Sequence, residues 1–129
     1  MRGGKEVRKI KFRGKCRRSK RWTYGFLVIE PNGTKWISNC FHKGEWIEVD
    51  PKTVGQLTGA LDRNSGEIYE GDIAKFYDEE LGMWIVIYDM EYSKFELVMD
   101  GLVCGMNNSP EIEIIGNIHD NHDLICAKT

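Results

Sequence analysis

Between residues 54 and 77 the chain places glycine at positions 55, 59, 66 and 71, a spacing that no regular helix tolerates. Each glycine in a helix interior costs about 1 kcal/mol relative to alanine. The runs between these glycines are too short to supply an apolar stripe in return. Gly55-Gln56-Leu57-Thr58-Gly59 is expected to turn tightly or to admit a neighbouring backbone at close range. Asp62-Arg63-Asn64-Ser65-Gly66 reads as a turn, because Asp and Asn tolerate left-handed conformations and Gly adopts positive φ cheaply. Glu67, Ile68 and Tyr69 make a short extended piece, and Glu70-Gly71-Asp72 a second turn. Residues 71–77 then read as a strand, with Ile73, Lys75 and Tyr77 facing one way and Ala74 and Phe76 the other.

The flanking sequence repeats this grammar of short apolar runs and turn residues. A strand is expected over 8–13, where Lys9, Lys11 and Arg13 alternate with Ile10 and Phe12, followed by a basic connection over 14–21. The β-rich run 22–30 is turned by Asn32-Gly33, a strong hairpin signal, into a return strand at 35–38. Residues 39–44 form a loop. Residues 45–50 form another strand, which Pro51 ends because it has no N–H to donate; 51–54 can alternatively open one helical turn. Further on, 83–88 is apolar on both faces and belongs at the centre of a sheet. Strands follow at 94–100 and 111–119, no pattern emerges over 102–108, and the tail after Asp120 is expected to fray. The fold class is therefore mostly β. Short antiparallel strands would form a small barrel or sandwich, an SH3-like barrel being one solution, with little helix. The 129 residues suit one domain, divisible into two small lobes at about 8–53 and 54–120.

Cysteines stand at 16, 40, 104 and 126 with no C-x-x-C pair, which gives no support for a zinc site. No secretory segment and no long apolar run appears, so reduced thiols, no membrane association and a cytoplasmic location in a bacterial host cell are expected. The net charge of −2 conceals a polarity: residues 2–21 hold eleven of the 18 Lys and Arg beside one acid, Glu6. From Trp22 onward seven basic residues face 19 acidic ones.

The basic segment is the first candidate site. Arg8, Lys11, Arg13, Arg17, Arg18 and Arg21 can neutralise phosphates, and Trp22, with Tyr24 and Phe12 nearby, can stack on bases. Two other readings stay open: a solvated edge strand whose cations discourage edge pairing, or a surface that meets the acidic remainder of a second subunit. The Trp and Met content (Trp36, Trp46, Trp84, Met83, Met90, Met99, Met106) also suits an interface in a homo-oligomer.

Metal or catalytic chemistry has weaker candidates. His119 and His122 in His-Asp-Asn-His-Asp share a metal only if a turn intervenes, with His42 or Cys40 completing the set; the alternative is that His119 and Asp120 fix the end of the last strand. Asp62, Glu67, Glu70 and Asp72 could bind a cation or divide acid and base roles, or simply solvate their turns. Cys40-Phe41-His42 invites a nucleophile reading, but neighbours in sequence do not supply the spatial contact a base needs.

Gly-Gln-Leu-Thr-Gly, then Asp62-Arg63-Asn64-Ser65-Gly66 and Ile68-Tyr69-Glu70-Gly71-Asp72, together resemble the core signature of the YopX family of small phage and prophage proteins. Lys11-Phe12-Arg13, Trp22 with Tyr24-Gly25, Asn39-Cys40-Phe41-His42 and Ile115-Gly116-Asn117-Ile118-His119-Asp120-Asn121 agree with it, from about Lys9 to about Leu124. One departure is local: the family continues Asn-Pro after His-Asp, where this chain has Asn121-His122. The resemblance implies a mostly β fold, a mobile-element origin and no catalytic residues. The combined expectation is a non-enzymatic, self-associating binding module for a nucleic acid or a host or phage protein, with no cofactor and no metal. The alternative is a metal-assisted phosphodiesterase or nuclease using His119, Asp120 and His42.

Overall fold

The structure is a computed structural model and describes residues 9–39, 45–78 and 82–126. Among these are eleven strands, two 3-10 segments and one short helix. The chain divides into two compact units, residues 1–59 and 60–129.

The first unit is built on β1 (Phe12–Lys15), β2 (Trp22–Ile29), β3 (Lys35–Ser38), β4 (Trp46–Val49) and the start of β5 (Gly55–Leu61), in the order β4-β3-β2-β1-β5. The pairs β1–β2, β1–β5, β2–β3 and β3–β4 are antiparallel. Asn32-Gly33 does turn β2 into β3: Gly33 donates to the carbonyl of Glu30, and the Asn32 side chain accepts from the N–H of Thr34. One face of this sheet carries its buried apolar side chains, led by the fully buried Ile37 and Val49. Gly14 lies against them, and a Cβ there would sit 3.1 Å from Val49 and 3.2 Å from Ile37.

Two expectations shift in this unit. The first strand is displaced along the chain from 8–13, because Gly14 pairs with Thr23 and leaves room for Val49 and Ile37. The strand is also internal, flanked by β2 and β5, so its cations do not guard an edge. Gly55–Thr58 is strand rather than turn. Gly55 pairs with Arg13 and Gln56 with Phe12, and Leu57 donates its N–H to Lys11. Tertiary pairing overrides the poor strand preference of glycine here, although the spacing did exclude a helix. Pro51–Thr53 forms a 3-10 turn capped by Asp50, whose side chain accepts from the N–H of Lys52.

Beyond Gly59, β5 passes into the second unit, and the Asp62–Gly66 turn leads into β6 (Glu67–Tyr69). There follow β7 (Asp72–Phe76), β8 (Trp84–Asp89), β9 (Lys94–Met99), β10 (Leu102–Gly105), β11 (Ile112–Asn117) and the helix α1 (His122–Cys126). The order β10-β9-β8-β7-β11 places β8 at the centre, as its two apolar faces require. Ile68, Ala74, Val86, Leu97 and Ile112 form the buried core, with Phe76, Trp84 and Ile114 packed against it. Each large aliphatic side chain buried this way contributes about 1.5–3 kcal/mol.

Among the described residues this second sheet stays open, with β10 and β11 at opposite edges, so it does not close as an SH3-like barrel. The segment without a sequence pattern, 102–108, is β10 followed by the 3-10 segment Met106–Glu111. The tail is not frayed throughout, since His122–Cys126 is helical. No helix among the described residues is long and apolar enough to cross a membrane.

Candidate nucleic-acid interface

Side chains alternate across a strand, and residues directly paired on neighbouring strands share a face. In β1 and β2 this brings cations and aromatic rings together. Arg13 pairs with Tyr24 and Lys15 with Trp22, so the face opposite Gly14 carries Lys11, Arg13 and Lys15 beside Trp22, Tyr24 and Phe26. The cations lie over the rings. Lys11 Nζ is 5.9 Å from the Tyr24 centroid, Arg13 Cζ 4.6 Å from that of Trp22, and Lys15 Nζ 5.6 Å from the same ring. These distances fall within the reach of cation–π attraction. Tyr24, Phe26 and Val28 on this face are exposed, as is Trp46 of β4.

The loop between β1 and β2 extends the positive surface. Cys16 donates its N–H to the carbonyl of Arg21, and Lys20 donates back to that of Cys16, closing a tight connection. Arg17, Arg18, Lys20 and Arg21 are all exposed on it. Arg17 also approaches Glu48, Nε to Oε2 at 3.6 Å, and its N–H donates to the Glu48 carbonyl. The Ser19 hydroxyl and N–H stabilise the Cys16 thiolate, and with the Arg18 N–H and charge they lower the thiol pKa despite some burial.

Of the candidate residues, Lys11, Arg13 and Trp22 therefore meet on one face, and Arg17, Arg18 and Arg21 gather in the adjoining loop. Arg13 is buried, so its guanidinium supports the Trp22 ring rather than reaching outward. Arg8 lies outside the described residues. Phe12 pairs with Gly25 and points to the opposite face, away from the cations, so it does not extend the stacking surface. Lys15, part of the basic segment, joins the face opposite Trp22, and so do Phe26 and Trp46, which the basic-segment reading left out. The signal for Phe26 was the odd-numbered cations of 11–15 against the even-numbered aromatics of 22–26, legible once the hairpin register is known.

The second unit uses its acids differently. Asp62 Oδ1 accepts the N–H groups of Asn64 and Gly66, and Oδ2 accepts that of Ile114. Burial alone would raise its pKa, but these three backbone donors outweigh that and hold the carboxyl below its ordinary range. Asp72 is buried and accepts the N–H of Tyr69 at 2.7 Å. At the end of β11, Asn117 Oδ1 accepts from the N–H groups of His119 and Asp120, and Asn121 Oδ1 accepts from that of Asn117. Asp120 accepts from the Asn117 amide at 3.2 Å. The strand end is thus fixed chiefly by two asparagines, with Asp120 as a partner. His122 begins α1. Among the described residues no group of three or more His, Cys, Asp or Glu could hold a metal ion. Cys40 and His42 lie outside the described residues.

A sequence model described as YopX protein matches residues 11–126. No curated protein matches the chain. Among solved structures, the chain is similar to protein EF1440 from Enterococcus faecalis, with a TM-score of 0.54 and 23% identity, covering 92% of this chain and 99% of that one. At that identity the likeness speaks to the fold alone.

Proposed function

The chain belongs to the YopX protein family, and from that premise we propose that it is a non-enzymatic accessory protein of a phage or prophage that binds nucleic acid through the β1–β2 face. The observation that carries this reading is the pair of lysines on one face, Lys11 and Lys15, set beside the Tyr24 and Trp22 rings of β2. Cations that track phosphates beside rings that accept bases are the two components of sequence-tolerant nucleic-acid binding. The exposed arginines of the 16–21 loop lengthen the positive track, and the acidic excess after Trp22 keeps the rest of the molecule from competing for phosphates.

Fluorescence anisotropy with labelled DNA and RNA across a salt series tests the reading. Binding whose logarithm falls linearly with log salt, by about 0.9 per phosphate neutralised on duplex DNA, supports it. No binding at low salt rejects it.

Self-association belongs to the same reading. It is supported by Met90, Tyr92, Leu102 and Val103, which stand exposed at the turns and edge around β9 and β10. Light scattering that returns the mass of a single chain rejects that part.

A further inference from the structure

One end of the β1–β2 face, whose reading as a nucleic-acid surface this site rests on, has a more specific construction. The β1–β2 ladder ends at the Phe12–Gly25 pair, and just past it Phe26 is paired with Ser38 of β3. Lys9, Lys11, Tyr24, Phe26, Ser38 and Asn39 line an open cavity of about 420 Å³ there. That volume is in the range of small-ligand sites, roughly 300–1,000 Å³. Its walls combine exposed rings, Phe26 at 53% and Tyr24 at 43%, with two lysines, while the small Ser38 is buried at 3%. Gly25 is part of the construction. A Cβ at this position would collide with the carbonyl oxygen of Ser38, so the strands approach here as only glycine allows.

We propose that this cavity seats one unpaired base of a single-stranded nucleic acid, stacked on Phe26 and Tyr24, with the flanking phosphates on Lys9 and Lys11. Aromatic walls select this ligand over duplex, because bases inside a duplex are already stacked and present only their edges. They select it over an acidic peptide as well, which would use the lysines and leave the rings idle.

The test compares a labelled oligothymidylate with a labelled duplex by anisotropy, using the full chain, Phe26→Ala and Phe26→Trp. Phe26 is exposed, and thermal melts of the two variants matching the parent establish that the fold is intact. The expected result is single-strand binding at least about tenfold tighter than duplex, the order that stacking one base supplies. Phe26→Ala should lose about tenfold on the single strand only, with an unchanged salt slope, and Phe26→Trp should restore it. Equal binding of both ligands, or a single-strand preference untouched by Phe26→Ala, overturns the base site while leaving nucleic-acid binding standing. Binding of neither ligand overturns both.

Discussion

The carboxylate of Asp62 accepts the backbone N–H of Ile114 at 3.1 Å across 52 positions of sequence. Its other oxygen closes the turn that follows it, through Asn64 and Gly66. One side chain thus shapes a local loop and fastens that loop to β11. Arg63 adds a second tie, donating its N–H to the carbonyl of Ile112. This gives a structural reason for the Asp-x-x-x-Gly pattern that needs no active site.

Replacing Asp62 with alanine should therefore cost about 2–3 kcal/mol, since three part-buried backbone donors lose one charged, buried acceptor. Urea denaturation of Asp62→Ala against the parent measures it. Asn64→Ala, which removes a side chain but no backbone donor, should fall well short of that.

The lowered pKa of Asp62 fixes the sign of a pH effect. The folded value lies below the unfolded one of about 3.9, so the contribution is complete above the unfolded value and is lost as pH falls through the folded one. The stability gap between the parent and Asp62→Asn should be constant near neutrality and shrink below about pH 4. A gap that widens on acidification would contradict the bonding described.

Gly25→Ala should destabilise the first unit by about 2–4 kcal/mol, from positive-φ strain and a backbone clash together. Gly25 has φ +153°, and its added Cβ would strike the Ser38 carbonyl oxygen. Thermal unfolding followed by tryptophan fluorescence reads the loss, because Trp22, Trp36 and Trp46 all lie in that unit.

Cys16 should alkylate faster than Cys104. Its thiolate is stabilised first by the Ser19 hydroxyl and then by the Ser19 and Arg18 N–H groups, whereas Cys104 accepts from the Asn108 amide and packs against the core. Iodoacetamide labelling with mass mapping across pH should place the Cys16 midpoint below that of an ordinary thiol, about 8.5. Ser19→Ala should move it upward.

The double variant Lys11→Gln, Lys15→Gln should reduce the salt slope of duplex DNA binding by about 2, if each lysine neutralises one phosphate. Lys52→Gln, in the 3-10 turn Pro51–Thr53, serves as the control and should leave the slope unchanged. An unaltered slope in the double variant would remove these lysines from the interface.

Much of the second unit was legible because its signals are local. The run Met83-Trp84-Ile85-Val86-Ile87-Tyr88 is hydrophobic throughout and β8 does lie at the centre of its sheet, and Leu97 marks the core side of β9, whereas a bulge between Ile114 and Gly116 breaks the alternation expected of β11. The 55–58 segment was not legible as strand, because its pairing with β1 is a tertiary fact invisible in its own glycines. The candidate site was half legible. Lysine, arginine and aromatic content named Lys11, Arg13 and Trp22, but Phe12 and Phe26 look equally suitable until the register sends them to opposite faces. The asparagines 117 and 121 carried no chemical signature at all, since backbone capping depends on where the chain turns rather than on which side chain is reactive.

The pairing of β7 with β11 also governs how the chain can be made. β8 can dock on β7 soon after both leave the ribosome, yet the other ladder of β7 must wait until residues 112–117 are synthesised. Until then the nascent sheet presents a raw edge of the kind that recruits neighbouring chains. A stop codon placed just before residue 112 would therefore yield an aggregating product rather than a slightly shorter soluble one.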